Sequence, residues 1–280
     1  MPRSMWTGTL SFGLVSVPVK MYNAVTSKTV RFHQLHAGDH GRIRNRHVCE
    51  ADGEDVAFSE IVKGYEIAPE RYVIVSTEEL AALEPAFTRS IDIEDFVEPD
   101  QIDPIYLDHP YYLVPGTGGA RSYRILLEAM QRTGKVAIAR VVLRSRERLV
   151  TICPRENVLL MRSMHYGDEL QPTNRMRELD GIARTPAVER ELGVACRLVE
   201  SIAEDFDIDR YRDNFREAVL DLIDRKASGE EVVIEPPRKR PTFDAPDLIT
   251  ALQASLEDAR RRPDAASNGN GRADEVPVEA

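Results

Sequence analysis

Short apolar runs separated by turn residues fill the first 165 residues, a pattern typical of β-strands. We predict a strand pair within residues 1–20 and a buried strand at residues 72–75. Further strands are predicted at residues 19–25, 30–32, 91–97, 111–114, 136–143, 148–153 and 157–164. The turn residues 145–147 would join two of these strands into a hairpin.

Two short helices are predicted inside this strand-rich region. Thr77 can cap the first helix with its side-chain oxygen. The second helix covers residues 122–133, and Gly134 directly after it favours the left-handed backbone that ends many helices. The region is therefore mixed, with β-structure dominant.

From about residue 185 the apolar spacing changes to the three- and four-residue steps of an amphipathic helix. One stripe comprises Val188, Leu192, Ala195, Val199, Ile202 and Phe206. Asp209 is predicted to cap a second helix that ends at Gly229. A proline-rich basic linker follows at residues 235–241. A last amphipathic helix carries Leu248, Leu252 and Leu256.

These boundaries divide the chain into four parts, and the fold class is α+β, mainly β. We predict a core at residues 1–184, a helical arm at 185–235, a linker with a short helix at 236–262, and a disordered tail at 263–280. No window of 18 apolar residues occurs, so no transmembrane helix is expected. The interrupted apolar stretch at the N-terminus is not expected to be a signal peptide.

The net charge of −10 hides an uneven distribution. Counting Lys and Arg against Asp and Glu, residues 1–50 carry seven against two, and residues 111–165 carry ten against three. Residues 51–110 carry three against sixteen, and residues 166–235 carry ten against eighteen. Salt screens charges over about 8 Å, so local charge decides binding. The two basic blocks are therefore candidate surfaces for an anionic partner.

Metal and nucleophile chemistry find little support in the residue pattern. Cys49 and Asp52 have the spacing of a zinc knuckle, but a structural zinc site usually needs four Cys or His ligands. A hairpin turn at Asp52 and Gly53 is the alternative. No G-x-S-x-G, H-E-x-x-H or complete P-loop occurs, so we expect no metal, no cofactor and no catalytic residue. The scattered cysteines Cys49, Cys153 and Cys196 favour a reducing, cytoplasmic location.

An acidic run keeps one enzymatic alternative open. Its members are Asp92, Glu94, Asp95, Glu98, Asp100, Asp103 and Asp108. Such carboxylates can hold metal ions for phosphoryl transfer, which would make the chain a metal-dependent nuclease or phosphoesterase. A solvated face is the commoner reading of an acidic run. A protein-interaction module whose arginines pair with acids is a further alternative.

Arginine dominates both basic blocks, and its planar fork suits phosphate oxygens. Arg42, Arg44 and Arg46 alternate, so in a strand they would share one face at a spacing of about 6.6 Å. That spacing is near two phosphate steps of a DNA strand, about 3.4 Å each, and such contacts would read no bases. The DNA-binding candidates are Arg31, Arg42, Arg44, Arg46, Arg121, Arg124, Arg140, Arg144, Arg146 and Arg148.

Several ordered motifs resemble the bacterial Ku family over about residues 5–260. They are WTGTLSFGLVSVPVK from residue 6, RFHQ from 31, GRIR from 41, YYL from 111, VAIAR from 136, LRSRE from 143, FD from 206, YRD from 211 and LIDRK from 222. The resemblance implies a β-barrel with a DNA-encircling bridge, followed by a C-terminal helical arm.

The same resemblance implies a non-enzymatic protein of non-homologous end joining. Members of the family form a homodimeric ring that threads onto double-stranded DNA ends without regard to sequence, protects them and recruits the ATP-dependent DNA ligase D. Residues 41–55 and the 140–148 hairpin would lie near the inner surface. Leu248, Leu252 and Leu256 would face the ligase, and the protein would act in the cytoplasm at the nucleoid.

The chain departs from the family pattern in two places. Several relatives carry Cys-x-x-Cys where this chain has Asp52 in the second position, which puts metal binding in doubt but not DNA binding. Some relatives end in a lysine-rich tail, whereas this chain ends in RADEVPVEA. Bridging of DNA by the tail is therefore not expected.

Overall fold

The computed structural model describes residues 3–83, 89–144, 146–230 and 248–261. The chain divides into two compact units, Met1–Gln171 and Pro172–Ala280. The linker predicted at residues 235–241, position 145 of the predicted hairpin turn and the tail at 263–280 lie outside the described residues. The domain limits predicted from the sequence stay predictions.

A closed seven-stranded barrel forms the first unit, with a separate two-stranded ribbon. The strands are β1 Trp6–Phe12, β2 Val15–Asn23, β3 Lys63–Ala68, β4 Arg71–Val75, β5 Ser90–Val97, β6 Leu107–Pro115, β7 Val136–Leu143, β8 Arg146–Arg155 and β9 Val158–Met164. Their order around the barrel is β1-β2-β6-β9-β8-β7-β5. Neighbouring strands are antiparallel except at the seam, where β1 runs parallel to β5.

The barrel interior is the hydrophobic core of this unit. Alternate residues of each strand point inward, and Leu10, Ile91, Val150 and Met161 are fully buried. Helix α2, Ala120–Thr133, adds its own buried face, which comprises Tyr123, Leu126, Leu127 and Met130. Gly134 follows with φ of 68°, so the predicted end of this helix is confirmed.

The ribbon of β3 and β4 has no second layer among the described residues. The strand predicted at residues 72–75 exists, but its predicted burial is wrong, because Tyr72 is 62% exposed and Ile74 66%. Helix α1, Thr77–Leu83, follows the ribbon. The predicted cap at Thr77 is also wrong: Ser76 accepts from the backbone N–H of Glu79 at 3.1 Å, while the Glu79 carboxylate accepts from the N–H of Ser76 at 2.8 Å.

Two short hairpin loops, not a continuous strand, occupy most of residues 34–56. In the first, the N–H of Ile43 donates to the carbonyl of Gln34 at 3.1 Å. In the second, the N–H of Val56 donates to the carbonyl of His47 at 2.8 Å. The strand predicted at residues 30–32 and the regular alternation of residues 42–46 are therefore wrong, since the loops satisfy the backbone locally. We call residues 34–56 the arginine loops.

The second unit contains α3 Glu189–Ser201, α4 Asn214–Ala227 and α5 Leu248–Arg261, and α3 contacts α5. Helix α3 ends before the predicted stripe does, so Phe206 is not helical. The predicted cap at Asp209 is wrong, because Asp213 accepts from the N–H of Arg216 at 2.9 Å and begins α4. None of the helices in the described ranges is both long and apolar enough to span a bilayer.

Candidate nucleic-acid interface

The arginine loops carry three of the predicted DNA contacts, in different surroundings. The Nη2 atom of Arg42 lies within 2.9 Å of both ring nitrogens of His33. Arg46 forms an exposed ion pair with Asp55 at 2.8 Å. Arg44 forms no ion pair with any described residue and is exposed. Arg44 is thus the member of the trio whose guanidinium is most available to a phosphate.

The turn inside the second loop accounts for the cysteine and its neighbours. Gly53 has φ of 76°, and its N–H donates to the carbonyl of Cys49 at 2.9 Å. The Asp52 carboxylate accepts from the N–H of Glu54 at 3.0 Å. This hydrogen bond lowers the pKa of Asp52, and a second, smaller lowering comes from a hydrogen bond with the Cys49 side chain. The hairpin turn predicted at Asp52 and Gly53 is confirmed. Within the described ranges, no three His, Cys, Asp or Glu side chains group closely enough to hold a metal ion.

Arg140 on β7 lies on the outer face of the barrel between two carboxylates. Its Nε is 2.8 Å from Glu94 on β5, and its Nη1 is 2.8 Å from Glu147 on β8. The hydrogen bond to Glu147 and the charges of both acids raise the pKa of Arg140. The guanidinium is already engaged, so a phosphate would have to displace both acids.

Arg144, Arg146 and Arg148 line a cleft of about 370 Å³ together with Trp6, Asp108 and Tyr111. Leu143 pairs with Arg146, so the predicted hairpin is confirmed, although Arg146 and Glu147, predicted to lie in the turn, belong to β8. None of the three arginines forms an ion pair with another described residue. We call this site the mouth cleft, because it lies at one end of the barrel.

The remaining arginine candidates occur on α2 and before the arginine loops. Arg124 donates to Glu128 at 2.7 Å. That hydrogen bond and the Arg124 charge lower the pKa of Glu128. Arg121 is exposed at the start of α2 and Arg31 precedes the loops, and neither forms an ion pair with a described residue.

The acidic run extends from β5 to the start of β6, and several of its members have different partners. Asp92 accepts from the hydroxyls of Ser11 and Ser90, both at 2.5 Å. Glu98 pairs with Lys135, and Asp108 accepts from Ser163 at 3.1 Å. The sequence pattern missed these contacts because they join strands far apart in the chain. Strand β5 carries Glu94 and pairs with β7, which carries Arg140, while Glu98 and Lys135 lie next to these two strands. Parts of the two charge blocks therefore neutralise each other.

The leucines predicted to bind a partner lie on α5. Leu252 and Leu256 are half-buried, and α5 contacts α3 within the second unit. The structure describes the backbone of Leu248 but not its side chain. The role predicted for this helix stays a prediction.

Fold and site together define a closed-barrel protein with arginines on exposed loops and at one barrel end. A profile described as "Ku: Ku70/Ku80 beta-barrel domain" matches residues 11–192. Three similar proteins are named "Non-homologous end joining protein Ku". That of Anaeromyxobacter sp. (strain K) is 45% identical over 94% of this chain and 88% of its own length. Those of Archaeoglobus fulgidus and Bacillus subtilis are 37% and 35% identical over 91% and 92% of this chain, and over 98% and 83% of their own lengths. The chain belongs to the Ku family.

Proposed function

We propose that this chain binds double-stranded DNA ends in non-homologous end joining, as a scaffold rather than an enzyme. Similarity to proteins named for that process, over more than nine-tenths of the chain in each case, is the observation that carries the proposal. The chain acts as a homodimeric ring that protects ends, and it does so in the cytoplasm at the nucleoid.

The proposed DNA contacts are the arginines predicted from the sequence, and they differ in how readily each can act. Exposed guanidiniums without an ion pair, such as those of Arg31, Arg44 and Arg121, can take a phosphate directly. Arg46, Arg124 and Arg140 would first exchange a carboxylate for a phosphate. Affinity from the first group should therefore exceed that from the second.

Exposed apolar side chains support a dimer. In the second unit Phe206 is 79% exposed and Phe215 80%. The two-stranded ribbon also presents Tyr65, Tyr72 and Ile74 to solvent. A lone two-stranded hairpin is marginally stable in water, so a covering partner would stabilise it.

We also propose that the ligase of the pathway is recruited through α5, by Leu248, Leu252 and Leu256. An amphipathic helix can lay its apolar face in a partner's groove. Because α5 contacts α3, the partner would either replace α3 on that face or bind the pair.

The nuclease alternative gains no support from the geometry. Three of the carboxylates of residues 92–108 have different partners: Asp92 bonds to a hydroxyl, Glu98 to an ammonium and Glu94 to a guanidinium. They do not converge on a common point within the described residues.

Comparison of linear and covalently closed circular duplex of equal length tests the proposal by mobility shift. A ring that threads from an end should bind the linear form and leave the closed circle free. Equal binding of both forms would overturn threading. Degradation of the labelled strand on incubation with magnesium would show nuclease activity and would overturn the proposal that the chain is a scaffold and not an enzyme.

A single substitution tests the phosphate contacts. Arg44→Gln should weaken duplex binding equally for all sequences and reduce the slope of log K against log salt by about 0.9 for each subunit of the ring. The matched control is Arg155→Gln, which removes the same charge from an exposed position at the far end of β8. An unchanged slope for Arg44→Gln would remove this residue from the DNA surface.

A further inference from the structure

The mouth cleft concentrates positive charge that no described residue neutralises. Three guanidiniums line it, those of Arg144, Arg146 and Arg148, against one carboxylate, that of Asp108. This carboxylate accepts a hydrogen bond from Ser163 at 3.1 Å and lies in no ion pair. The cleft therefore has an excess of two positive charges when empty.

Strand register directs Arg146 and Arg148 toward the barrel axis. Alternate residues of β8 share a face, so Arg146 and Arg148 continue the face of Val150 and Ile152, which are fully buried in the core. Arg148 lies opposite Val141, another core residue, whereas Arg140 lies opposite Leu149 and belongs to the outer face. Arg146 and Arg148 therefore lie at the end of the barrel interior and do not form part of its outer wall.

The opposite side of the cleft is apolar and aromatic. It is lined by Met5, which precedes β1, by Trp6 of β1 and Met21 of β2, and by Tyr111 of β6. The Tyr111 ring packs edge-on against His109, with ring centroids 4.8 Å apart. A base can stack on an aromatic face whatever its identity. Arginine forks bind phosphate oxygens in pairs.

We propose that the mouth cleft binds a nucleoside phosphate, with the phosphate held by Arg144, Arg146 and Arg148 and the base against Trp6 or Tyr111. The volume of about 370 Å³ falls in the range of about 300–1,000 Å³ usual for small-molecule sites. A bare inorganic anion would leave the aromatic wall unused, and an uncharged nucleoside would leave the guanidiniums unpaired. The proposed ligand is a single nucleotide, so the site is tested without duplex.

The same chemistry has two sources, a free nucleotide and the terminal nucleotide of a single strand. The chain's one tryptophan is Trp6, so tryptophan fluorescence reports on this cleft alone. Full-length protein is titrated with dAMP, deoxyadenosine, inorganic pyrophosphate, and a short single-stranded oligonucleotide with and without a 5′-phosphate.

Saturable quenching by dAMP, and at least about tenfold weaker quenching by deoxyadenosine, is the expected result. Arg148→Gln should weaken dAMP binding about tenfold, while Arg155→Gln on the same strand leaves it unchanged. Tighter quenching by the phosphorylated oligonucleotide than by dAMP would identify a strand terminus as the ligand. The reverse order would identify a free nucleotide, and both orders support the site.

Two results would overturn the proposal. One is quenching that rises linearly with ligand, or equally for deoxyadenosine and dAMP. The other is a folded Arg148→Gln variant that binds dAMP as the unchanged chain does. If circular dichroism shows that Arg148→Gln does not fold, the proposal is tested instead by competition between pyrophosphate and dAMP on the unchanged protein. Pyrophosphate must then displace dAMP, and a failure to displace it rejects the site.

Discussion

The phenol of Tyr123 is the buried polar group that joins α2 to the barrel wall. Its hydroxyl donates to the carbonyl of Leu113 at 2.6 Å and accepts from the N–H of Leu159 at 2.8 Å. These two residues face each other across β6 and β9, so one side chain serves both strands. Removal of the Tyr123 hydroxyl would leave the carbonyl of Leu113 and the N–H of Leu159 buried without this hydrogen-bond partner.

We expect Tyr123→Phe to lower the free energy of unfolding by about 1–3 kcal/mol, because a carbonyl and an N–H both lose their partner. Urea denaturation followed by circular dichroism measures the change. Tyr112→Phe is the control, since its half-buried hydroxyl bonds to no described residue, and it should change stability by less than about 0.5 kcal/mol. Equal effects of the two substitutions would contradict this account of Tyr123.

Stability at high pH provides a second measurement on the same residue. Burial raises the pKa of Tyr123 above its ordinary value of 10.0, and the hydrogen bond from Leu159 partly offsets the rise. A raised pKa in the folded state contributes stability that is complete below the unfolded pKa and is lost as pH rises through the folded one. Between about pH 9 and 11 the unfolding free energy should therefore fall more steeply in the unchanged protein than in Tyr123→Phe. Parallel curves would contradict the prediction.

Individual arginines show what the sequence could and could not predict. Their clustering and the absence of a nucleophile or metal motif were readable from the chain. The partners of Arg140 and Lys135 were not, because the acids of β5 meet β7 only through the barrel order. Arg146 and Arg148 were predicted to contact DNA together with Arg140, whereas strand register turns them toward the barrel axis and away from the face of Arg140. Such contacts depend on pairing between distant strands, which residue spacing does not encode.

At the scale of elements, the parallel seam of β1 and β5 is the contact that closes the barrel. It consists of the pairs Thr9–Ser90, Leu10–Ile91 and Ser11–Asp92. Ser11 and Ser90 bond to each other at 3.0 Å and share the Asp92 carboxylate. Next to the seam, a Cβ added to Gly8 would lie 2.1 Å from the carbonyl oxygen of Arg89. The close approach of two backbones therefore requires glycine.

Gly8→Ala should destabilise the barrel by more than about 2 kcal/mol, because the backbone of Arg89 must move away from β1. Gly167→Ala in the same unit is the control, since a Cβ there meets no atom within 4 Å. Chemical denaturation of both variants gives the difference. A Gly8→Ala protein as stable as the control would show that the seam tolerates displacement.

Element type was predictable from periodicity, while ends and burial were less so. The strands of the barrel and α2 were found because their apolar periods are regular. Helix α3 was predicted too long, because apolar residues at 202 and 206 continue the helical spacing after the backbone leaves the helix. The ribbon strand at 72–75 was predicted buried because Tyr72, Val73 and Ile74 are apolar, although no second layer covers them. The spacing of apolar residues predicts which face of an element can be buried, but it does not predict which other part of the protein, if any, covers that face.

For the molecule as a whole, the exposed aromatic side chains of the second unit mark a candidate surface for association. Phe206 stacks on Tyr211, with ring centroids 5.9 Å apart, yet Tyr211 is 71% exposed. Phe215 near the start of α4 adds an uncovered ring. Contiguous apolar patches on a surface mark sites of association. The proposed ring requires a second subunit, and this patch is where we expect it to bind.

Phe215→Asp should therefore convert a dimer into a monomer, because association would bury an unpaired carboxylate at the patch. Sedimentation should give twice the chain mass of 31.6 kDa for the unchanged protein and the single-chain mass for the variant. Ile125→Asp places the same charge at an exposed apolar position of α2 and should remain dimeric. A single chain cannot close around DNA, so Phe215→Asp should also lose the preference for linear over closed circular duplex. A dimeric Phe215→Asp protein would assign the interface elsewhere, and a monomer that kept the preference would reject encirclement as its cause.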